Sequence, residues 1–369
     1  MGVLRFYRDS FIFTGLCLAL GAWLGWELTH TVAGVLGILW IVVVLGVLEI
    51  SLSFDNAIVN ATVLRGMTPV WRRRFLIWGI LIAVFGMRIV FPLAIVAIAA
   101  GVGPIEAVKL AATDPVTYEH LIKGAHVGIS GFGGAFLAMV GSTFFLDEEK
   151  DLHWIGFLER PTAALSGVSG LAIGLVLLAL YAVSRLLPPA DAMTMLVAGI
   201  FGLVSYVAVD AIGDLIGGAD DEEDHGASAT VAVAKAGLGA FLYLEMLDAS
   251  FSFDGVIGAF ALSNNLFVIA LGLGIGAMFV RSMTLMLVEK GTLTQFRYLE
   301  HGAFYAILAL ATIMLVSAVH EVPESVTGLI GAGLIGLAFW SSLRANKTDG
   351  GTGEADPIAP TGEHLRQGN

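Results

Sequence analysis

Apolar runs of about 18 to 25 residues recur along almost the whole chain, and no other feature constrains the fold as strongly. Each run is long enough to cross a hydrocarbon core of about 30 Å as a helix. Only 14% of the 369 residues are charged, whereas a soluble domain has about 25%. The runs therefore lack the polar faces of water-exposed helices. The sequence predicts an all-α polytopic membrane protein, and the lipid bilayer is its first expected partner.

We predict ten transmembrane spans within a membrane domain of residues 1–345. Residues 346–369 are rich in Gly, Thr, Pro and charge, which is typical of a disordered tail. The predicted spans are 11–28, 31–64, 74–101, 124–145, 163–187, 191–216, 231–262, 266–289, 301–319 and 325–344.

The distribution of Lys and Arg predicts the orientation. With a cytoplasmic N-terminus, thirteen of these residues fall on the cytoplasmic side and three on the outer side. Because positive charge is enriched in cytoplasmic loops, we expect an inner (plasma) membrane protein with both termini and the tail in the cytoplasm. The thirteen are Arg5, Arg8, Arg65, Arg72, Arg73, Arg74, Lys150, Arg160, Lys290, Arg297, Arg344, Lys347 and Arg366; the three are Lys109, Lys123 and Arg185.

Several function classes find little support in the sequence. Part of the net charge of −12 lies in the run Asp220–Asp224, which reads as a solvated loop, and we expect no nucleic-acid partner. The single cysteine, Cys17, rules out an internal disulfide. We find no nucleophile–base pair, zinc motif or nucleotide-binding loop, so we expect neither an enzyme nor a bound cofactor.

A motif that occurs twice carries most of the functional information. Span two contains EISLSFDN at Glu49–Asn56, and span seven contains DASFSFDG at Asp248–Gly255. In the same order, Gly79 and Arg88 of span three match Gly272 and Arg281 of span eight.

The two copies lie five spans apart, so we predict that they cross the membrane in opposite directions. Inverted repeats of this kind build many secondary transporters, whose site lies near the bilayer midplane where the repeats meet. We place the repeats at about 11–187 and 191–344.

The chemistry of the motif favours a cation site. A carboxylate at mid-membrane costs about 2.5–3.5 kcal/mol on insertion scales, and such groups usually face a cavity or a partner. Carboxylate, hydroxyl and amide oxygens suit a divalent ion such as Mn²⁺, Mg²⁺ or Ca²⁺. The candidate metal ligands are Glu49, Ser53, Asp55, Asn56, Asp248, Ser252 and Asp254, with Arg88 and Arg281 as charge partners.

The two acids of each copy would not share a face of a straight helix. Both spans also exceed 30 residues. We therefore predict a break or unwound turn near Ser53–Asn56 and near Ser252–Gly255. Two other interpretations stay open: the acids could form ion pairs that only fix helix packing, and the serines could bond carbonyls one turn back.

These residues resemble the signature of the TerC family of tellurium-resistance-associated membrane proteins. The resemblance rests on Glu49, Leu52, Ser53, Asp55 and Asn56 in one copy, on Asp248, Phe251, Ser252 and Asp254 in the other, and on Tyr298–Ala303 (YLEHGA). It covers about residues 40–320. It implies a LysE-like inverted-repeat exporter of Mn²⁺ with the motif acids as ligands. Gly255 departs from the pattern, because Asn or Ser is commoner there.

Three functions remain as hypotheses. The first is a secondary exporter of a divalent metal, most of all manganese. The second is a transporter of another ion or small solute. The third is a membrane scaffold in metal or tellurite stress response, for which the loops at 146–162 and 217–229 would matter more than the acids. Glu300 and His301 could cap a helix, act as a gate or ligate a metal. A homo-oligomer is compatible with each hypothesis.

Overall fold

The computed structural model describes residues 4–147, 152–163, 165, 168, 170–217, 237–320 and 322–349. Every regular element in these ranges is a helix. In chain order they are α1 (Leu4–Thr29), α2 (Val32–Leu52), α3 (Phe54–Gly66), α4 (Pro69–Ala100), α5 (Pro104–Thr113), α6 (Pro115–Gly124), α7 (His126–Phe145), α8 (Gly156–Ala163), α9 (Leu171–Ser184), α10 (Pro189–Gly217), α11 (Leu238–Ala259), α12 (Leu266–Glu289), α13 (Thr292–Gln295), α14 (Leu299–Ser317) and α15 (Glu324–Asp349).

Eight of these helices are long and apolar enough to cross a bilayer, namely α1, α2, α4, α7, α10, α12, α14 and α15. Helix α9 is a shorter apolar helix inside the predicted span 163–187. Helix α11 corresponds to span 231–262 but carries three acids, Glu245, Asp248 and Asp254. The chain is an all-α, multi-pass membrane protein, so the predicted fold class is confirmed.

The predicted break in the first motif is present and is only one residue long. Helix α2 ends at Leu52 and α3 begins at Phe54, with Ser53 between them at φ −96° and ψ 22°. In the first turn of α3, Asp55 Oδ1 accepts a hydrogen bond from the N–H of Asn56 at 2.9 Å. A carboxylate is stabilised at a helix N-terminus, so Asp55 helps to restart the helix after the break.

The predicted break in the second motif is wrong. Helix α11 continues through Ser252–Gly255 to Ala259. Our prediction rested partly on a span of more than 30 residues, whereas α11 has 22 and begins directly after Gly237, whose φ is +64°. A helix of that length crosses a bilayer without interruption.

Helix α4 departs from α-helical geometry where the matched residues of span three lie. Its segments Phe75–Gly79 and Ile82–Val90 are π-helical. π-Helical turns are rare in proteins, and those that do occur are often found at functional sites. The two segments hold Gly79 and Arg88, and both residues line one cavity between the motif helices.

Packing brings the helices of the two motif copies against the Gly–Arg helices. Helix α3 is buried along Asp55–Leu64 and packs against α11, α12 and α14. Helix α2 packs on α12, and α11 packs on α4. Each motif helix therefore contacts the Gly–Arg helix of the other predicted repeat.

Parts of the C-terminal region differ from the prediction or lie outside the described residues. Helix α15 continues to Asp349, and Asn346 Nδ2 donates to the carbonyl of Gln295 at 2.8 Å. Residues 346–349, which we assigned to a disordered tail, are therefore helical. Residues 350–369 and the acidic run 220–224 lie outside the described ranges.

Candidate ion-binding site

Arg88 and Glu49 form a direct buried ion pair. Arg88 Nη2 lies 2.5 Å from Glu49 Oε1, and the two side chains are only 3% and 7% exposed. Arg88 Nε donates to the carbonyl of Leu273 at 3.1 Å, and its Nη1 donates to the carbonyl of Ala83. The guanidinium thus has an acceptor at each of its three nitrogens, and the pair is electrically neutral.

Residues of one motif copy meet residues of the other. Asn56 Nδ2 donates to Asp248 Oδ1 at 2.8 Å. At the corresponding contact, a Cβ built on Gly255 would lie 3.2 Å from Glu49 Oε2. Asn56 corresponds to Gly255 and Glu49 to Asp248 in the repeated motif, so each copy places its first acid against the eighth residue of the other.

Arg281 has different surroundings from Arg88. Its guanidinium lies over the ring of Phe75, 4.1 Å from the centroid. It faces Glu245 across Gly79: a Cβ on Gly79 would lie 2.7 Å from Glu245 Oε1 and 2.9 Å from Arg281 Nη1 and Nη2. The absence of a side chain at Gly79 therefore lets the acid and the guanidinium approach each other.

Two small cavities adjoin at Glu49. The arginine cavity, of about 30 Å³, and the serine cavity, of about 50 Å³, share Glu49 as a lining residue. The arginine cavity is lined by Glu49, Asn56, Asn60, Phe75, Gly79, Ala83, Arg88, Glu245, Asp248, Ala277, Val280, Arg281 and Thr284. The serine cavity is lined by Glu49, Leu52, Ser53, Asp55, Phe251, Gly255, Leu310, Thr327 and Gly328.

Buried polar atoms without a hydrogen-bond partner in the described part of the chain concentrate at the arginine cavity. Most buried polar atoms in proteins are paired, so each exception calls for an explanation. The lining atoms in question are Asn56 Oδ1, Asn60 Oδ1, Glu245 Oε1, Asp248 Oδ2, Arg281 Nε and Arg281 Nη2.

The described acids of the predicted ion site line two adjoining cavities. Among the described residues, no group of three or more His, Cys, Asp or Glu is arranged to hold a metal ion. Glu49 and Asp248 line the arginine cavity, whereas Glu49 and Asp55 line the serine cavity. The side chain of Asp254 lies outside what the structure describes, although its backbone belongs to α11.

The motif serines take different positions. Ser51 and Ser250 donate to the carbonyls of Val47 and Met246, one turn back. Ser53 Oγ donates to Glu49 Oε1 at 3.3 Å and lines the serine cavity. Ser252 is buried, and its hydroxyl has no partner within the described ranges.

Three polar residues of the arginine cavity, Glu245, Asn60 and Thr284, were absent from the predicted site. All three are buried. The sequence held a signal for Glu245, because it is an acid inside an apolar span, one turn before Asp248, and such acids are functional candidates by default. The signal for Asn60 was weaker, because the matching position in the second copy is Ala259.

His301 belongs to a separate cluster that anchors residues 152–163 on α14. His301 Nε2 lies 2.8 Å from the carbonyl of Leu152, and Tyr305 donates its hydroxyl to Glu159 Oε1 at 3.1 Å. The backbone N–H of Trp154 also donates to the buried Glu159. Glu300 lies in the first turn of α14.

Comparison with known proteins identifies a family but assigns no function. The protein-family model DUF475, described as a protein of unknown function, matches residues 54–349. The matched range includes Asp55 and the whole second motif copy. No curated protein and no solved structure matches the chain.

Proposed function

The chain belongs to the DUF475 family, and we propose that it is a secondary membrane transporter that exports a divalent metal cation. Manganese is the first candidate substrate. In this proposal the protein resides in the inner (plasma) membrane, with both termini in the cytoplasm, as the distribution of Lys and Arg predicts.

The observation that carries the proposal is the meeting of two acidic motifs inside an apolar helix bundle. Glu49 and Asp55 from one copy and Asp248 from the other line two adjoining cavities. Buried carboxylates are costly within a bilayer, and they typically mark ion pathways. The contact between Asn56 and Asp248 supports a site at the boundary between the predicted repeats, where inverted-repeat transporters bind their substrates.

The serine cavity has the oxygen chemistry that a small divalent ion prefers. Glu49, Asp55 and Ser53 contribute two carboxylates and a hydroxyl. A Mg²⁺-like ion is usually held by one or two carboxylates while it keeps several of its waters. Two carboxylates are therefore a sufficient protein contribution, and the ion need not collect all the motif acids.

The resemblance to the TerC family supports manganese within this class of ion. The second motif copy carries Asp248, Phe251, Ser252 and Asp254 at the spacing of that family's signature. Oxygen ligands favour Mn²⁺, Mg²⁺ and Ca²⁺ over softer metals, so the resemblance and the ligand chemistry agree.

Manganese accumulation in cells that lack manganese efflux tests the proposal. We expect the unaltered protein to lower the cell manganese content and to raise manganese tolerance. Asp55→Asn and Asp254→Asn should abolish both effects at equal expression, because each removes a negative charge from a motif. Asp9→Asn is the matched control, because Asp9 is exposed and pairs with Arg8.

A scaffold function makes the opposite prediction. If Asp55→Asn and Asp254→Asn behave like the unaltered protein, the motif acids do not carry transport. If Glu159→Gln then abolishes the phenotype, the segment 152–163 that Glu159 anchors is the functional part, and the exporter proposal is wrong.

A further inference from the structure

We propose that the arginine cavity is a binding site for a small monovalent metal cation, held by oxygens of Glu245, Asp248, Asn56 and Asn60. Its use as the coupling-ion site of an exporter rests on the proposed function, whereas the binding of the cation itself is independent of that function. Two of the four residues, Glu245 and Asn60, lie outside the positions that the two motif copies share.

Unpartnered oxygens point to a positively charged ligand. Asn60 is 6% exposed and Asn56 3% exposed, and the Oδ1 atom of each lacks a hydrogen-bond partner among the described residues. The same holds for Glu245 Oε1, on a side chain 8% exposed, and for Asp248 Oδ2. Leaving a buried acceptor unsatisfied is costly, and a bound cation would satisfy several of these acceptors at once.

The charge balance of the cavity favours a single positive charge. Glu49 and Arg88 neutralise each other in a direct pair. The remaining charged lining residues are Glu245, Asp248 and Arg281, which leave one net negative charge when all three are ionised. Uncompensated charge is costly to bury. A monovalent cation would neutralise it, whereas a divalent ion would reverse its sign.

The size of the cavity excludes a fully hydrated ion. Its volume of about 30 Å³ is enough for only about two or three water molecules, because a cavity needs about 10–15 Å³ to hold one. An ion that enters must therefore exchange most of its water for protein oxygens. Coupling ions of secondary transporters bind in this way at the interface of the repeats.

Glu49 provides a physical connection between this site and the proposed divalent site. Its Oε1 pairs with Arg88 at the arginine cavity, and its Oε2 faces Gly255 at the serine cavity. A cation in either cavity changes the electrostatic potential at the same carboxylate. The two ions would therefore affect each other's affinity, and this effect is reciprocal by linkage.

Thermal unfolding of the purified full-length protein in detergent tests the site, with Na⁺ as the probe. We expect NaCl to raise the unfolding midpoint above that in choline chloride at equal ionic strength. The rise should be about 5 °C when the sodium concentration is one hundred times Kd. Glu245→Gln and Asn60→Ala should each abolish this sodium-dependent shift. The second variant leaves the charge unchanged, so it tests the ligand set even if the first folds poorly.

Glu119→Gln is the matched control for Glu245→Gln, because Glu119 pairs with the half-exposed Lys123 outside both cavities. It should keep the full sodium-dependent shift. Equal midpoints in NaCl and choline chloride for the unaltered protein would overturn the proposal. A shift that persists in both Glu245→Gln and Asn60→Ala would also overturn it.

The outcome is separable from that of the exporter proposal. A sodium-dependent shift in a protein that fails to lower cell manganese would leave the cation site intact and refute only the exporter function. Manganese export by a protein without a sodium-dependent shift would refute only the cation site.

Discussion

The two arginines of the predicted repeats occupy matched positions in the sequence but differ in how they are paired. Arg88 contacts Glu49 and two carbonyl groups, and its charge is neutralised directly. Arg281 stacks on Phe75 and faces Glu245 across Gly79, and two of its nitrogens lack hydrogen-bond partners among the described residues. One half of the site is therefore saturated by the protein itself, and the other half offers unsatisfied groups to a ligand.

The residues that make this difference are those that the two motif copies do not share. Glu245 lies three residues before Asp248, and the matching position before Glu49 is Gly46. Gly46 lies against the carbonyl of Gly272, whereas Glu245 reaches Gly79. The two matched regions therefore differ by an acid that only the second one carries.

The largest loss of stability is expected when the buried ion pair of Glu49 and Arg88 is broken. Arg88→Met should lower the free energy of unfolding by about 3–5 kcal/mol, because removing one partner leaves a buried charge uncompensated. Arg281→Met should also destabilise the protein, because it removes the cation–π contact with Phe75 and the positive charge that faces Glu245. The loss should be smaller than for Arg88→Met, because two nitrogens of Arg281 lack hydrogen-bond partners among the described residues. Denaturant-induced unfolding in detergent micelles measures both values.

The double variant Glu49→Gln/Arg88→Met supplies the control for this comparison. It removes both charges, so it should recover much of the stability that Arg88→Met loses. Equal losses for Arg88→Met and Arg281→Met would show that the two arginines are equally engaged, contrary to the difference in their contacts.

A smaller difference is expected between the matched glycines. A Cβ on Gly272 would lie 2.5 Å from Leu45 Cβ and 3.0 Å from the carbonyl oxygen of Val42, so helix α2 itself would have to move. A Cβ on Gly79 would meet only the ends of the Glu245 and Arg281 side chains. Gly272→Ala should therefore cost about 3 kcal/mol, and Gly79→Ala about 1 kcal/mol.

The effects of the two glycine substitutions on sodium binding should have the opposite order to their effects on stability. Gly79→Ala displaces Glu245 from Arg281, so it should weaken sodium-dependent stabilisation more than Gly272→Ala does. The thermal unfolding midpoint in NaCl and in choline chloride measures this effect. If Gly79→Ala retains the full shift, Glu245 is not held in place by its approach across Gly79.

Eight of the ten predicted spans contain a helix that is long and apolar enough to cross a bilayer. They were predictable because apolar runs are a local property, whereas the site depends on helix packing. The apolar run at 266–289 predicted α12 with its observed bounds. The offset of Glu49 and Asp55 predicted a break near Ser53–Asn56, and the helix is interrupted at Ser53. The break predicted near Ser252 is wrong. That prediction counted residues 231–236 as part of one helix, whereas α11 begins only at Leu238, after a glycine with positive φ.

The ligands were only partly predictable. Comparing the motif copies identified Asn56 and Asp248, which contact each other. The same comparison did not identify Glu245, because the first copy has Gly46 at that position. It did not identify Asn60 either, because the second copy has Ala259 there. Their common cavity results from α3 and α11 packing together beside α4, and hydrophobic periodicity in a single sequence does not encode which helices become neighbours.

The smallest effect of a single substitution is expected at Gly255, at one of the two contacts between the motif copies. Asn56→Ala removes a buried hydrogen bond to a carboxylate and should cost about 1.5–3 kcal/mol. At the corresponding contact, Gly255→Ala places a Cβ 3.2 Å from Glu49 Oε2 but raises helix propensity by up to about 1 kcal/mol. The net change in unfolding free energy should stay within about 0.5 kcal/mol of zero. Gly255→Ala could instead lower the free energy of unfolding as much as Asn56→Ala does. The approach of Glu49 to α11 would then be as tightly constrained as the bond between Asn56 and Asp248. The two halves would be more alike than their contacts indicate.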